Sequence, residues 1–596
     1  MDRAKALFTK FYNLVYAKNE MKEFIHEVKK KLRTKSFYSL LGFVAILLFI
    51  FLANGLHESY PDEFDNILGG WNTLHGSFLY SSFFTHHGPT AYLIAAVLEL
   101  FSGNSFFRFR IVYSISLLAF LLYSFWYFRR SLGAQLVQFF PLFLLFIGLG
   151  ATYFWGHMLL ADIVSGFLLT FAIGLVVIKR LHNKNLTAHD MIFVSILTSL
   201  SVLSSLTYLY LSVILYGYVF LEYFSSNKLS YLKIRNYFYP IIVFTIPFVI
   251  LLIYLILTGS LSDYLYQNFT FNQQYYIYNY PRAPGETFIN PVRFAIIIAH
   301  EFIMSFFDLL VQAKDLNFYF PFNIALAVGN TAFMIYAFAS RKFKLLLFVF
   351  LMFIYSNGRS NPLTSGERDY QSSVYIMLSL FLTCYLLYEL FEKLKSGLEY
   401  QKKLVYSLLF VITFIYAFAN FSFLGRKFID KVYQKYMGKA PLIYDRPQIA
   451  PIINMTLTKN DYTWIGPFEF EELFYTKIKN VSQYQIFNPG MGRSEKIQNG
   501  LIADFEKNKP KLIWFDKRFY ILGENPEKYG RPFIAYINDH YTNIYDYRRG
   551  DSRFVSVKPI DQKTDIETKL YIRIENAEEI IDKLASLGVI REVSAR

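Results

Sequence analysis

The run Ser39-Leu-Leu-Gly-Phe-Val-Ala-Ile-Leu-Leu-Phe-Ile-Phe-Leu52, followed shortly by Pro61-Asp62-Glu63-Phe64-Asp65, decides what kind of chain this is. An uncharged apolar run of that kind belongs in lipid. Three carboxylates just past its end belong at a membrane surface. Similar runs recur along the chain, for example Phe139 to Leu149. Composition agrees. Hydrophobic residues make up 54% of the 596 residues and charged residues only 18%, against about 25% charged in soluble domains. The single cysteine, Cys384, excludes an intrachain disulfide and a cysteine-based zinc site. No cleavable signal peptide is expected, because a charged amphiphilic segment precedes the first apolar run.

A net charge of +15 could point to nucleic acid. The basic residues instead cluster between apolar runs, so membrane topology explains them better and no nucleic-acid partner is expected. Candidate spans cover 36–55, 109–128, 134–152, 163–178, 190–206, 207–224, 238–258, 321–340, 345–357, 371–391 and 404–421. Segments 88–103 and 294–312 are ambiguous. If neither crosses, one face receives Lys29–Lys35, Arg129/Arg130, Lys179/Arg180, Lys228–Arg235, Arg341–Lys344 and Lys393–Lys403. That is a consistent cytoplasmic face. Glu301, Ser305, Asp308 and Gln312 form a polar stripe at helical spacing, which favours 294–312 lying at the interface over a span with a polar face.

The expected architecture is a polytopic α-helical membrane protein of roughly 11–13 transmembrane helices with a C-terminal extracytoplasmic α/β domain. Residues 1–35 form a basic cytoplasmic segment and 36–421 the membrane domain. Outer loops cover 56–108, 153–162, 259–320 and 358–370, and 422–596 forms the soluble domain. Within the tail, Lys511-Leu-Ile-Trp-Phe515 reads as a strand, and Ala577 to Leu587 as an amphipathic helix.

Chemistry-bearing residues gather in the outer loops. After Asp62, Glu63 and Asp65, residues Phe64, Ile67, Leu68, Trp71 and Leu74 share one helical face, which predicts an interfacial helix ending near Gly76. The carboxylates there are either functional or helix-start residues. His86-His87 suggests metal ligands, but neighbours rarely point at one ion and no third ligand is identifiable, so no metal is expected. Arg108, Arg110, Arg282, Arg293, Arg359 and Arg368 are outer cations, suited to phosphate or to snorkelling. Asp162 sits in an apolar turn, where it is functional or a cap. Carboxylates and arginines converging on one membrane face suit transfer from a lipid phosphosugar. The acceptor hydroxyl needs a base, and the leaving phosphate needs cations.

The order of these motifs resembles the GT-C membrane glycosyltransferases, in the branch of the dolichyl-phosphate-mannose protein mannosyltransferases and the bacterial aminoarabinose transferases. The matching pieces are Asp62-Glu63, Gly76-Ser-Phe-Leu-Tyr80, His87-Gly-Pro-Thr-Ala-Tyr92, Phe101-Ser-Gly-Asn-Ser105 with the arginines after it, Asp162, Gly366-Glu-Arg-Asp-Tyr370 and Asn508-Lys-Pro-Lys-Leu-Ile513. The resemblance implies an inverting transfer from a polyprenyl-phosphate sugar on the outer side, to a lipid, glycan or protein acceptor. It implies Asp62 as catalytic carboxylate with Glu63 in support. Substrate contacts are then expected from Tyr80, His87, Arg108, Arg110, Asp162, Arg282, Arg368 and Tyr370, with no cofactor. The chain departs from the family where His87-Gly88-Pro89 stands for His-Pro-Pro. It also departs at Thr207-Tyr208, where many members carry a lysine, and at Gln371-Ser-Ser-Val-Tyr375, where some carry His-Tyr. An oligosaccharide transferase using a lipid diphosphate, or a transporter or flippase, are the competing readings. The absence of repeated halves weighs against the transporter.

Overall fold

The computed structural model describes residues 35–226, 234–276, 290–312, 329–356, 370–395, 403, 407, 411, 424–438, 447–557 and 566–594. Its first part is helical: α1 (Lys35–Asn54), α2 (Pro61–Leu74), α3 (Thr90–Ser102), α4 (Phe106–Leu132), α5 (Phe140–Leu149), α6 (Ala161–Leu181) and α7 (Ala188–Ser204). Then come α8 (Leu209–Ser226), α9 (Ile234–Leu257), α10 (Pro291–Gln312), α11 (Asn330–Ala339), α12 (Phe343–Ser356) and α13 (Ser373–Lys395). Among the described residues five helices are long and apolar enough to cross a membrane: Phe106–Leu132, Ala161–Leu181, Leu206–Tyr223, Phe238–Leu257 and Tyr370–Lys393. The chain is thus a polytopic helical membrane protein with a C-terminal α/β part. Most of the expected span 404–421 lies outside the described residues.

α6 is the central post. It is buried on nearly every side and packs against α7 and α13. Its glycines permit the close approach: a Cβ on Gly174 would stand 2.3 Å from the Phe381 ring of α13. By contrast α9 presents Ile242, Val249, Ile253 and Leu257 outward, an apolar surface suited to lipid.

Segment 88–103 forms α3, a helix of 13 residues. At ~1.5 Å per residue that is about 20 Å, short of a ~30 Å hydrocarbon core. Its inner face packs on α2, α4 and α7, while Leu93, Val97, Leu100 and Phe101 are exposed. In α10, Phe294, Ile298 and Phe302 are buried, with Phe302 stacked on Phe353 of α12. The side chains of its polar stripe lie outside the described residues.

A helix over 424–436, α14, leads to the tail. There α15 (Ile449–Thr456), α16 (Phe470–Tyr475), α17 (Glu495–Asn508), α18 (Arg531–His540) and α19 (Ala577–Ser586) pack around strands. These are β1 (Tyr462–Gly466), β2 (Lys479–Asn480), β3 (Leu512–Phe515), β4 (Tyr541–Asn543), β5 (Arg548–Arg549), β6 (Ser552–Ser556), β7 (Leu570–Arg573) and β8 (Ile590–Ser594). One sheet runs β2-β1-β3-β7-β4, parallel among its first three strands and antiparallel after; β5-β6-β8 forms a second. The expected strand is β3, buried at all four residues. The expected helix is α19, with Ile580, Ile581 and Leu584 buried and Leu587 left outside.

The two parts are joined around α2. The helix was expected to lay its apolar stripe on lipid; instead the stripe is largely spent on protein. Phe64, Ile67 and Leu68 are buried, Phe64 meets Phe106 at 4.5 Å, and Trp71 meets Phe474 of α16 at 6.3 Å. Only Leu74 at the helix end is exposed. A backbone bond from Phe84 N to Gln483 O (2.8 Å) and a Tyr266–Ser494 hydroxyl pair (2.6 Å) tie the same two parts together.

Candidate active site

The local sequence places Asp62 without making it a cap. The N-cap of α2 is Tyr60, in extended backbone and with no side-chain capping bond. Pro61 follows at the first helical position, where its missing N–H costs nothing. Asp62 and Glu63 fall in the first turn, where the helix dipole favours negative charge. Consecutive helical residues point apart, so the two carboxylates meet different surroundings.

Asp62 accepts a hydrogen bond from the Tyr370 hydroxyl at 2.6 Å. One turn on, Asn66 Nδ2 donates to Asp62 O (2.9 Å) and Leu159 O (3.0 Å), tying the start of α2 to the turn that precedes α6. In the first turn of α6, Asp162 is buried and accepts from the Tyr208 hydroxyl at 2.9 Å. Ser373 Oγ donates to Asp162 O at 2.7 Å, fixing α13 to the same point. Asp62, Asn66, His87, Leu160, Ala161, Asp162 and Tyr370 line one small cavity. Beside it Tyr60, Trp155 and Tyr370 form an aromatic cluster, with Trp155 stacked on Tyr370 at 5.5 Å and 26°. Trp155 has a φ of 57°, a strained conformation for a bulky residue.

Glu63 faces the other way. It is fully buried and ion-paired with Arg110, itself 1% exposed. Arg110 also donates to Gly55 O and Glu58 O, and it lies 4.8 Å from the Phe106 ring centroid. The pair therefore locks the loop before α2 onto α4, and neither residue lines the cavity. Nearby, His57 and His157 stand edge-on at 5.6 Å. Burial, then the cations Lys427, Lys431 and Arg110, holds His57 down to about 3; burial and Arg110 hold His157 below its ordinary value too.

Tyr80 does not reach the cavity. It is buried, with a φ of 75°, in an aromatic cluster with Phe83 and Tyr92, and its hydroxyl donates to His87 O at 3.2 Å. It supports the histidine turn from behind. Gly88 in that turn packs on the end of α7: a Cβ there would stand 2.0 Å from Leu203 O. This explains why glycine rather than proline occupies the position. Arg108 is exposed at the start of α4. Arg282, Arg359 and Arg368 lie outside the described residues. Among the described residues, no three of His, Cys, Asp and Glu converge as metal ligands.

Asp65, read from sequence only as the third carboxylate of its stretch, has contacts of its own in the structure. Its Oδ2 accepts from the Tyr92 hydroxyl at 2.6 Å, and Tyr92 is bonded in turn to Thr85 Oγ1 at 2.6 Å. Burial, with the Asp62 carboxylate adding to it, pushes Asp65 up to about 7 against the pull of the Tyr92 bond. Two α2 carboxylates one turn apart thus sit in different electrostatic environments.

No family model and no curated protein matches the chain. Among solved structures it is similar to ArnT from Cupriavidus metallidurans bound to undecaprenyl phosphate, at 14% identity over 75% of this chain and 86% of that one, with a TM-score of 0.43. It is similar to the archaeal oligosaccharyltransferase AglB from Archaeoglobus fulgidus in complex with an inhibitory peptide and a dolichol-phosphate, at 13% identity over 92% of this chain and 78% of that one, with a TM-score of 0.41. The apo state of the same ArnT overlaps at 12% identity over 75% of this chain and 86% of that one, with a TM-score of 0.29. Overlaps this loose carry no functional weight, and what the site can do rests on the residues above.

Proposed function

We propose that the chain is an inverting glycosyltransferase that moves a sugar from a polyprenyl-phosphate donor to an acceptor hydroxyl or amine, with Asp62 as general base. The observation that carries this reading is the convergence of two first-turn carboxylates, Asp62 and Asp162, with His87 and Tyr370 on one cavity of a helical membrane protein. A donor whose tail stays in lipid presents its sugar and phosphate at such a place. Asp62 takes the acceptor proton as the acceptor atom bonds to the anomeric carbon. The anomeric carbon–oxygen bond breaks in the same displacement, its electron pair goes to the phosphate, and the configuration inverts.

The other residues divide the remaining work. Asp162, oriented by Tyr208, accepts from a sugar hydroxyl. The Tyr60–Trp155–Tyr370 cluster offers a ring face to the sugar. His87 and the cations of the outer loops, Arg108, Arg282 and Arg368, are assigned to the departing phosphate. The Glu63–Arg110 pair positions the start of α2. Acceptors of lipid, glycan or protein type are all compatible with this chemistry.

The test is release of polyprenyl phosphate from a panel of labelled polyprenyl-phosphate sugars, with membrane extract supplying acceptors. Turnover of at least one donor is expected. Asp62→Asn should slow it about 10²–10⁴-fold, the usual contribution of a general base. A folded protein that releases nothing from the panel, or Asp62→Asn within a few-fold of wild type, sinks the assignment.

A further inference from the structure

Where the end of α2 meets the C-terminal part, the structure holds a cleft of about 680 Å³, far larger than the Asp62 cavity and separate from it. One wall is Trp71 and Asn72 from the last turn of α2 and His75 just after it. The other is Lys479 to Gln483 and Gln485, with Asp504 and Asn508 from α17. We infer that this cleft binds a neutral oligosaccharide segment.

The lining carries the inference. It is rich in planar amides: Asn72, Asn480, Gln483, Gln485 and Asn508 all face it. An amide offers donor and acceptor together, which suits vicinal hydroxyls. Asn480 Oδ1 and Gln483 Oε1 have no hydrogen-bond partner; both are shut off from solvent, and each reaches a ligand by turning its amide about the soft terminal torsion. Such atoms are costly unless something meets them. Trp71 adds a large aromatic ring, held against the tilted ring of His75 with centroids 3.9 Å apart. Charge is sparse: Lys479 is the sole lysine or arginine among the lining residues, and Asp504 is already bonded to Ser482 Oγ at 2.6 Å. A phosphate or acidic glycan would require more cations than that.

The cleft is also preformed. The Phe84 N to Gln483 O bond ties the Lys479–Gln485 wall to the segment that follows α2, and Asn508 Nδ2 holds Val481 O at 2.8 Å. Rigid walls lower the ordering cost of binding. Along α2, Trp71 lies nine residues from Asp62, about 14 Å at ~1.5 Å per residue. One monosaccharide cannot touch both, so a ligand that reaches from the cleft to the transfer centre is a chain of several sugars. The cleft is thus a subsite for glycan distinct from the transfer centre, and its occupancy does not depend on Asp62 being a base.

The experiment uses the full chain in lipid nanodiscs on an array of neutral gluco-, galacto-, manno- and N-acetylglucosamine oligosaccharides of graded length, beside their phosphorylated and sialylated counterparts. Longer neutral oligosaccharides should be retained and monosaccharides not. The double variant Asn480→Ala/Gln483→Ala should lose at least tenfold in retention. Asn72→Trp, which fills the cleft from a partly exposed helix position, should do the same if the double variant misfolds. Asp62→Asn should bind like wild type, so a failed transfer mechanism is distinguishable from a failed cleft. Retention of no neutral glycan, preference for charged ones, or binding indifferent to both cleft variants would overturn the inference.

Discussion

Asp62 and Glu63 are neighbours in sequence and opposites in environment, and that difference predicts how their variants behave. Asp62 accepts a strong bond from Tyr370 at a cavity edge. Tyr370→Phe removes that donor and keeps the ring. A hydrogen bond to a charged group is worth ~1.5–3 kcal/mol, so kcat/KM should fall roughly 10–100-fold, less than for Asp62→Asn. Equal losses in the two variants, measured on one donor, would argue that Tyr370 does more than orient the carboxylate. Asp65 predicts a pH effect. Its ordinary value is 3.8, and in the fold it keeps its proton to about 7. Between those values the folded state binds more protons than the unfolded state, so stability falls as pH rises through that window and levels off above it. Asp65→Asn, which cannot ionise, should flatten that slope. Thermal unfolding in detergent from pH 5 to 8 checks it, and parallel slopes for the two proteins would refute it. Asp62, Asp162, His87 and Tyr370 were legible because each stands at the mouth of an apolar helix, where polar residues are conspicuous. The Asp65–Tyr92 link was not, since it joins α2 to α3 across 27 residues. Arg110 stood out as a cation at the start of an apolar helix, but its partner Glu63 lies 47 positions away and settles its local contacts.

At the scale of elements, the seat of α2 on α3 decides whether the site exists. Gly69 and Gly70 let the two backbones approach. A Cβ on Gly70 would stand 2.6 Å from Ala95 Cβ and from Ala96 N, and these atoms have no flexible end to move aside. Gly70→Val should therefore push α2 off α3 at a cost of about 1–3 kcal/mol or more, lowering the unfolding temperature and turnover together. Gly42→Ala is the control, because a Cβ there meets nothing within 4 Å. If Gly70→Val unfolds like that control, the close contact is not holding the helix. The long spans were readable because continuous apolar residues over 20 positions admit few other interpretations. The stripe on α2 was read as lipid-facing because a hydrophobic face says that something apolar covers it, not what. The strand at 512–515 was readable from its own residues. The order β2-β1-β3-β7-β4 was not, because β7 joins β3 from 55 positions on, and nothing local encodes that pairing.

For the whole molecule the question is which way it faces. Helices α4, α6 and α13 all start at the site end, where Phe106 meets Phe64 and where Asp162 and Tyr370 line the cavity. Their other ends gather the basic residues. Lys179 is paired with Asp190 and Arg180 with Glu222, Lys184 Nζ reaches Leu132 O at 2.6 Å, and Lys393 lies over the Tyr336 ring. His182 joins this end through the Tyr385 hydroxyl at 2.7 Å. The α/β part sits at the opposite end, on α2. Basic residues in short loops favour the cytoplasmic side, so the site and the C-terminal domain should be outside and the N-terminus inside. Several of these charges are internally paired, which does not weaken the expectation, since the bias acts on lysine and arginine during insertion rather than on net charge. The single native cysteine is buried and leaves a clean background for labelling. A cysteine at Lys395, where α13 ends, and one at Lys507, exposed on α17, should react with a membrane-impermeant maleimide from opposite faces of sealed vesicles. Reaction of both from one face would invert or abolish the proposed orientation, and would move the Asp62 cavity away from any donor presented outside.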